Sequence, residues 1–250
     1  MSKNRVTIVC CYNNETQLKN ELLASIYKQI ERCDLILIDN RTQEFNSCSK
    51  ALNSVLKRIN TEYVIFSHQD IIMTENYTLS KFVNYMSNGK TGDIYGVAGA
   101  SIEKNGLLST MYHGKNKEPV WEVKLTGIQP CDAVDECFFG GKTKTFQKSP
   151  FNEKICNNWH LYAAERCIYT RTNGHSVYVC DVPIIHSSKG KLSHEFNLNF
   201  RNLCKAYAKY YSEIYTTFDR SKTNLISRNL HYLKKEIKLL VIKLFNLYHD

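Results

Sequence analysis

An α/β fold built on a mostly parallel sheet flanked by helices is what this 250-residue sequence predicts. Three short apolar runs predict it: residues 6–11 (VTIVCC), 35–38 (LILI) and 63–66 (YVIF). Runs of that length, rich in β-branched residues, mark strands buried on both faces. The stretches between them carry apolar residues at helical spacing. Strand, helix, strand, helix and strand therefore follow one another within the first seventy residues, which implies right-handed crossovers and a parallel sheet.

Asn13-Asn14 break the first strand, and Leu18, Leu22, Leu23 and Ile26 predict a helix over 15–30. The second strand ends at Asp39-Asn40. A helix over 47–59 places Ala51, Leu52, Val55, Leu56 and Ile59 inward, and the third strand runs directly into Ser67-His68-Gln69-Asp70. The middle is less regular. Residues 94–100 (IYGVAGA) read as a strand whose small residues allow close backbone approach, 107–123 as loop and hairpin, and 132–141 as a return toward the sheet. A helix is expected over 159–172 and a strand over 176–185, ending at His186.

From residue 225 onward, Ile226, Leu230, Leu233, Ile237, Leu240, Leu244 and Leu247 recur every three or four positions, with Arg228, Lys234, Lys235, Lys238 and Lys243 between them. That is an amphipathic basic helix. It suits a membrane interface or packing on the domain. Packing is placed slightly ahead, because apolar stripes at this spacing usually face a core. Residues 1–190 are expected to form the main domain and 191–250 a helical, basic extension.

Hydrophobic residues at 43% and charged residues at 23% exclude disordered and fibrous classes. The net charge of +9 is uneven: residues 187–250 hold twelve Lys/Arg against five Asp/Glu. A concentrated basic tail suits a polyanion, an anionic membrane surface or simple solvation. The ten cysteines show no CxxC spacing, and Cys10, Cys33 and Cys180 sit in apolar runs, as small hydrophobes do. The N-terminal apolar run is too short for a signal peptide, and no apolar stretch is long enough to span a bilayer. Together these predict a cytoplasmic protein, peripheral at the inner membrane face if the tail binds lipid.

Parallel sheets bind ligands beyond the carboxyl ends of their strands. Tyr12-Asn13, Asp39-Asn40 and His68-Gln69-Asp70 are the polar groups at three such ends. A carboxylate at Asp70, directly after a buried strand, needs solvation, a partner or a cation. It suits a divalent ion shared with a diphosphate and equally a helix cap ahead of Ile71-Ile72. His68 projects to the same side of an extended chain as Asp70. His186 is placed to complete a metal site with Asp70 if both lie on one sheet edge. Asp39-Asn40 suit a ribose or base edge, or an ordinary Asx turn. No GxGxxG follows the first strand and no GxxxxGK[ST] occurs, which counts against dehydrogenase and P-loop classes.

The segments VTIVCCYNN, LILIDN and SKALNSVLKRINTEYVIFSHQDI resemble the nucleotide-binding half of family 2 glycosyltransferases of the GT-A (Rossmann-like) fold. HQD in place of the usual DxD is similar to a branch called glycosyltransferase-like family 2. VDECFF, SPFNEKICNNWHLYAAERC and GHSVYVCDVPIIHSS follow in the expected order, so the resemblance covers residues 6–188. It implies an inverting transferase taking a nucleotide-sugar donor, UDP-linked in most of the family, to a glycan or polyprenyl-linked acceptor. Tyr12, Asn13 and Asp39 would contact the nucleoside, with Asn40 and Asn53 nearby, and His68 and Gln69 would flank the diphosphate. Asp70 and His186 would hold Mn²⁺ or Mg²⁺. The position of the usual catalytic Asp falls on Ala163, so the base is expected at Glu165, then Asp135, with His160 as a further candidate. Ala163 also leaves an inactive scaffold as an alternative. A nucleotidyltransferase lacks support, since CCYNNETQ holds no glycine-rich loop. Sixteen tyrosines and the basic charge raise nucleic-acid binding. The charge lies in the tail and no recognition motif is present, so no nucleic-acid partner is expected.

Overall fold

In the computed structural model, which describes residues 4–114, 117–120, 123–187 and 193–247, the first apolar run forms β1 (Val6–Tyr12), its first five residues buried. Side chains of residues 123, 124, 246 and 247 are not described. The stretch 188–192, which holds Ser188 and the expected domain junction, and residue 248 of the tail also lie outside the described residues.

Asn14 caps α1 (Glu15–Leu18) by accepting from the Gln17 amide at 3.0 Å. A π-helical turn, Lys19–Leu23, follows, and then α2 (Ala24–Ile26). The helix expected to reach residue 30 stops at Ile26 because Gln29 is put to another use. Its amide donates to the Glu75 carbonyl at 2.8 Å and accepts from the Leu79 amide at 2.9 Å. β2 (Cys33–Asp39) pairs in parallel with β1, Val6 opposite Cys33 and Tyr12 opposite Asp39. Ser47 caps α3 (Cys48–Asn53), and the expected continuation to residue 59 is broken into a 3₁₀ turn, Leu56–Arg58. The Ser54 hydroxyl donates to the Ala51 carbonyl at 2.7 Å, a local bond that competes with the helix.

β3 (Tyr63–Ser67), fully buried, pairs in parallel with the other side of β1. Next come β4 (Ile71–Met73), α4 (Thr78–Ser87), β5 (Ile94–Gly96) and β6 (Ala98–Ser101). The region expected as loop and hairpin contains β7 (Gly106–Ser109), β8 (Tyr112–His113), β9 (Glu118–Pro119) and β10 (Val123–Lys124). β11 (Ile128–Pro130), β12 (Ala133–Val134), β13 (Phe138–Lys142) and α5 (Thr143–Lys148) lead to α6 (Tyr162–Thr172). The single strand expected over 176–185 is two, β14 (Val177–Cys180) and β15 (Ile184–His186). Pro183 lies between them and offers no N–H to continue the ladder. α7 (His194–Tyr207), β16 (Glu213–Tyr215), β17 (Arg220–Lys222) and α8 (Leu225–Leu247) complete the chain.

The large sheet has the order β11-β14-β5-β13-β3-β1-β2. β2, β1, β3, β5 and β14 run one way and only β13 and β11 the other. A mostly parallel sheet between helices is thus observed as expected. Strand alternation sorts the core into two layers. Val9, Val64, Phe66 and Phe139 face one side with α3 and α6, while Ile8, Cys10, Ile65 and Phe138 face the other with α4. Gly96 shows why small residues were needed in β5: a Cβ there would stand 2.5 Å from Cβ of Val134.

A second sheet, β4-β15-β8-β9, carries His186. His186 therefore does not end a strand of the large sheet, as expected, but belongs to this smaller one. Ile71 begins a strand rather than a helix, so Asp70 caps nothing. α8 is helical as predicted, but it meets α7 through its polar side rather than its apolar stripe. Arg201 donates to Asn229 at 2.7 Å, Asn197 to Glu236 at 2.7 Å, and His231 lies 2.9 Å from Asp219. No described helix is long and apolar enough to cross a membrane.

Phe66 is 1% exposed and sits against Phe139, Phe146 and Phe151 at centroid distances of 5.3, 4.8 and 5.1 Å. Phe66→Ala is expected to destabilise the fold by about 3–5 kcal/mol, read as a lowered urea midpoint with an unchanged slope.

Candidate active site

The carboxyl ends of β1, β2 and β3 open into one cleft of about 930 Å³, lined by Tyr12, Asn13, Asn40, Arg41, His68, Gln69, Asp70 and Trp159 among others. It lies where the strand order reverses, β2 on one side of β1 and β3 on the other, which is the usual ligand crevice of such sheets.

At one end of the cleft, parallel pairing sets Tyr12 beside Asp39. Asp39 accepts from the Arg41 amide at 3.0 Å, closing the Asx turn its position allowed, and from the Arg41 guanidinium at 2.6 and 3.0 Å. These bonds hold the Asp39 carboxyl well below the usual carboxylate range. Arg41 also reaches Glu15 at 2.5 Å and lies over the Tyr12 ring, 5.8 Å from its centroid. Sequence reasoning missed Arg41; its nearness to Asp39 was the available signal.

The other expected nucleotide residues have varied roles. Asn40, 6% exposed, uses its amide to bridge the Phe45 carbonyl and amide at 3.1 and 2.8 Å, so it shapes the loop. Asn53 stands away from the cleft lining. Its amide serves Phe151 and Glu153 instead, at 2.8–3.0 Å. Gln69 accepts from the Asn13 and Asn14 amides at 2.9 and 3.0 Å and donates to the Asn13 side chain at 3.0 Å. It ties the end of β3 to the turn after β1.

His68 and Asp70 line the cleft, and His186 meets them just outside its lining. Antiparallel pairing of β4 with β15 sets Ile71 opposite His186, and the Ser187 amide donates to the Asp70 carbonyl at 3.0 Å. One ligand atom from each residue lies within 4.8 Å of the other two. His68 Nδ1 is 4.0 Å and His186 Nε2 3.2 Å from the Asp70 carboxylate. The His186 contact is close, yet Nε2, sealed from solvent, finds no hydrogen-bond geometry there. An orphaned buried nitrogen aimed at a carboxylate is what a shared ion would satisfy. Burial and the neighbouring His186 depress the His68 pKa, which favours the neutral, ligating imidazole. Burial opposes a charge on His186 too, but the Asp70 contact outweighs it and raises that pKa. Two imidazoles and a carboxylate are a donor set suited to a divalent ion such as Mn²⁺.

Around this triad lie groups that sequence reasoning passed over. His113, opposite His186 in β8, packs edge-on against it at 5.2 Å. Ser187 hydrogen-bonds at 2.5 Å to Glu21, which projects from the π-helical turn; such turns are frequent at functional sites. Tyr162 Oη lies 3.1 Å from His68 Nε2 and donates to the Glu136 carbonyl at 3.3 Å.

The expected bases are dispersed. Glu165 is 2% exposed and accepts from Tyr207 Oη at 2.6 Å, so its carboxylate points into the core and not the cleft. Burial raises its pKa despite that bond. Arg171, on the same helix, pairs with Asp132 at 2.7 Å and not with Glu165. Asp135, 6% exposed, accepts from the Cys137 amide at 2.9 Å and Thr217 at 2.8 Å. His160 packs edge-on against Phe196 at 5.8 Å, and its Nδ1 is 3.8 Å from Glu136 Oε1. The other Glu136 oxygen accepts from the Leu161 amide at 2.7 Å. Leu161 holds φ at +66°, a left-handed conformation that costs a leucine about 1–2 kcal/mol.

A sequence model described as "Glycosyltransferase like family" matches residues 7–213. No curated protein matches the sequence. Among solved structures, mannosyltransferase PcManGT from Pyrobaculum calidifontis, in complex with GDP-Man and Mn²⁺, aligns with a TM-score of 0.58 at 14% identity, covering 82% of this chain and 63% of that one. GalNAc-T7 with UDP, GalNAc and Mn²⁺ gives 0.57 at 10% identity, over 79% and 47%. S. aureus TarS 1-349 with UDP-GlcNAc gives 0.53 at 14% identity, over 80% and 65%. The chain thus spans about half to two thirds of these structures' lengths, and identities this low establish a shared fold. With its family match running through most of the sequence, the chain belongs to the glycosyltransferase-like family.

Proposed function

We propose that this protein transfers a sugar from a nucleotide-diphosphate donor, UDP-linked by preference, to a hydroxyl of a glycan or polyprenyl-linked acceptor. The transfer inverts the anomeric carbon and is assisted by Mn²⁺ or Mg²⁺. The observation that carries this reading is the meeting of His68, Asp70 and His186 beside a cleft that His68 and Asp70 line, with Tyr12, the neighbour of Asp39, at a separate strand end of the same cleft. A metal-bound diphosphate and a nucleoside need that separation of chemistries. Mn²⁺ in two of the fold neighbours is consistent with it. In this reading the donor site belongs to residues 1–190, and the extension after it contributes α7, the β16–β17 hairpin and α8. Ten free thiols support work in a reducing cytoplasm.

In this reading Tyr12 offers an aromatic face to the base and Asp39 an acceptor to the ribose, Arg41 shifting from Asp39 as the nucleoside enters. Asp70 and His186, with His68, would hold the ion, which when bound neutralises charge on the departing diphosphate. Trp159, 38% exposed on the cleft rim, presents an apolar face to the sugar. An acceptor hydroxyl attacks the anomeric carbon from the side opposite the diphosphate, and a carboxylate takes its proton. Glu136 is the best placed for that step. It lies against His160 and is held by the Leu161 amide, and the Tyr162 hydroxyl links its backbone to His68. Ala163, where the family resemblance puts the base, is wholly buried and offers no approach to an acceptor.

Incubation with UDP-, GDP- and dTDP-sugars, with Mn²⁺ or with EDTA, tests the reading. Release of nucleotide from one donor, abolished by EDTA, is expected. No release and no nucleotide binding from any donor would sink the proposal. Mn²⁺ titration followed by electron paramagnetic resonance should show one bound ion, weakened at least about tenfold in Asp70→Ala and in His186→Ala.

Two conservative variants separate the bases. Glu136→Gln is expected to lower turnover by about 10²–10⁴-fold with donor binding intact, while Glu165→Gln retains transfer. Glu165 has its folded pKa raised by burial, so its stabilising contribution is present at low pH and fades as pH climbs through the raised value. Thermal unfolding should therefore show Glu165→Gln more stable than wild type at neutral pH, the difference vanishing below the ordinary glutamate value of about 4.3.

A further inference from the structure

α8 is mounted with its polar side inward. Asn229 receives Arg201, Glu236 receives Asn197 and His194 at 2.7 Å each, and Asp219 holds both His231 and Lys235, the latter at 3.0 Å. Tyr232 lies under the Arg201 guanidinium at 5.3 Å. The opposite side bears Ile226, Leu230, Leu233, Ile237, Leu240 and Leu244 in one row, with Val241 and Phe245 beside them. All of these are between 41% and 78% exposed. Ordinary helices on globular domains are mounted the other way round.

The row runs about 29 Å along the helix, at 1.5 Å per residue from 226 to 245. Soluble monomers rarely leave a contiguous apolar patch beyond roughly 300–600 Å², so a face of this kind calls for an occupant. The charges on α8 choose among occupants. Lys234, Lys238 and Lys243 are exposed alongside the row, whereas the only acid of the helix, Glu236, is turned inward onto His194 and Asn197. A second copy docking row to row would align lysines with lysines. An anionic lipid surface would accept both features at once: apolar side chains enter the acyl boundary and lysine stems carry their ammonium groups up to phosphates.

We propose that α8 is an in-plane docking helix for an anionic bilayer, anchored to the protein by its polar side and to lipid by the row from Ile226 to Phe245. The helix is tied to the cleft by α7. Asn199 of α7 donates to Asn158 at 2.6 Å and to the His160 carbonyl at 3.1 Å, and Phe196 packs edge-on against His160. Trp159, between those two residues, lines the cleft. Docking therefore holds the cleft rim in a set relation to the lipid surface, which, if the proposed transfer is correct, favours an acceptor carried on a lipid over a free glycan.

Flotation of the full chain with phosphatidylcholine vesicles, with and without about 30% phosphatidylglycerol, tests the docking without any sugar transfer. The full chain should float with the anionic vesicles and leave the neutral ones at least about tenfold less occupied. Leu233→Glu/Ile237→Glu/Leu240→Glu should abolish flotation, and Lys234→Gln/Lys238→Gln/Lys243→Gln should reduce it several-fold and remove its salt dependence. Circular dichroism and Mn²⁺ binding report that both variants remain folded. Absence of wild-type flotation, or flotation unchanged by the glutamates, overturns the proposal. So does a dimer in sedimentation that the glutamates convert to monomer while wild type ignores vesicles. Failure of donor turnover with flotation intact would count against the transfer reading alone.

Discussion

Asp70 and His186 are far apart in sequence and meet because two three-residue strands run antiparallel. Ile71 pairs with His186, and the Ser187 amide closes the ladder onto the Asp70 carbonyl. Each strand is too short to persist alone, since isolated short pairings are marginal in water. They persist because Ile71, Met73 and Ile184 are buried in the same core layer that carries β1 and α4. The cleft therefore inherits its rigidity from apolar packing behind it. The polar groups in front stay strained toward a shared point, with His186 Nε2 unsatisfied and Asp70 flanked by two imidazoles.

A second dependence links the triad to the start of α6. The Leu161 backbone is held left-handed by a carboxylate, and Tyr162 bridges Glu136 to His68. Strain at one residue is kept only where its surroundings over-determine it. Here Leu161 is 3% exposed and its amide is bonded, so both conditions are met. Tyr162 thus joins the His68 imidazole to the Glu136 backbone, and the Glu136 carboxylate stands 3.8 Å from His160. The core face of α6 meanwhile seals Ala163 and Glu165 away, which explains why acids on the same helix or strand differ so much in what they can do.

The C-terminal extension follows a different logic. Its attachment is polar, made of ion pairs and amide bonds to α7 and to the loop at Asp219. Asp219 and Asn197 are buried, so these bonds, arranged on one face, fix which side of the helix meets the protein. They turn a face outward that burial alone would have turned inward, and α7 carries that orientation to the residues around Trp159.

Much of this was legible in the residues. Continuous apolar runs identified β1, β2 and β3 as strands, but only β1 and β3 are the buried strands expected; β2 ends the sheet, with Ile38 its one buried residue and Leu37 39% exposed. The polar ends of these strands put Tyr12, His68 and Asp70 on one edge, where all three line the cleft, since chain direction alone places the ends of parallel strands together; Asp39 stands beside Tyr12 without lining it. What sequence could not supply were relations between distant segments: that Pro183 sends His186 to a second sheet, that Glu136 rather than Glu165 stands near His160, that Arg41 folds back over Tyr12, and which side of α8 faces the protein. Periodicity specifies that a helix has an apolar stripe and is blind to where the stripe points, because that direction depends on partners such as Asn197 and Asp219 that only the tertiary structure brings alongside.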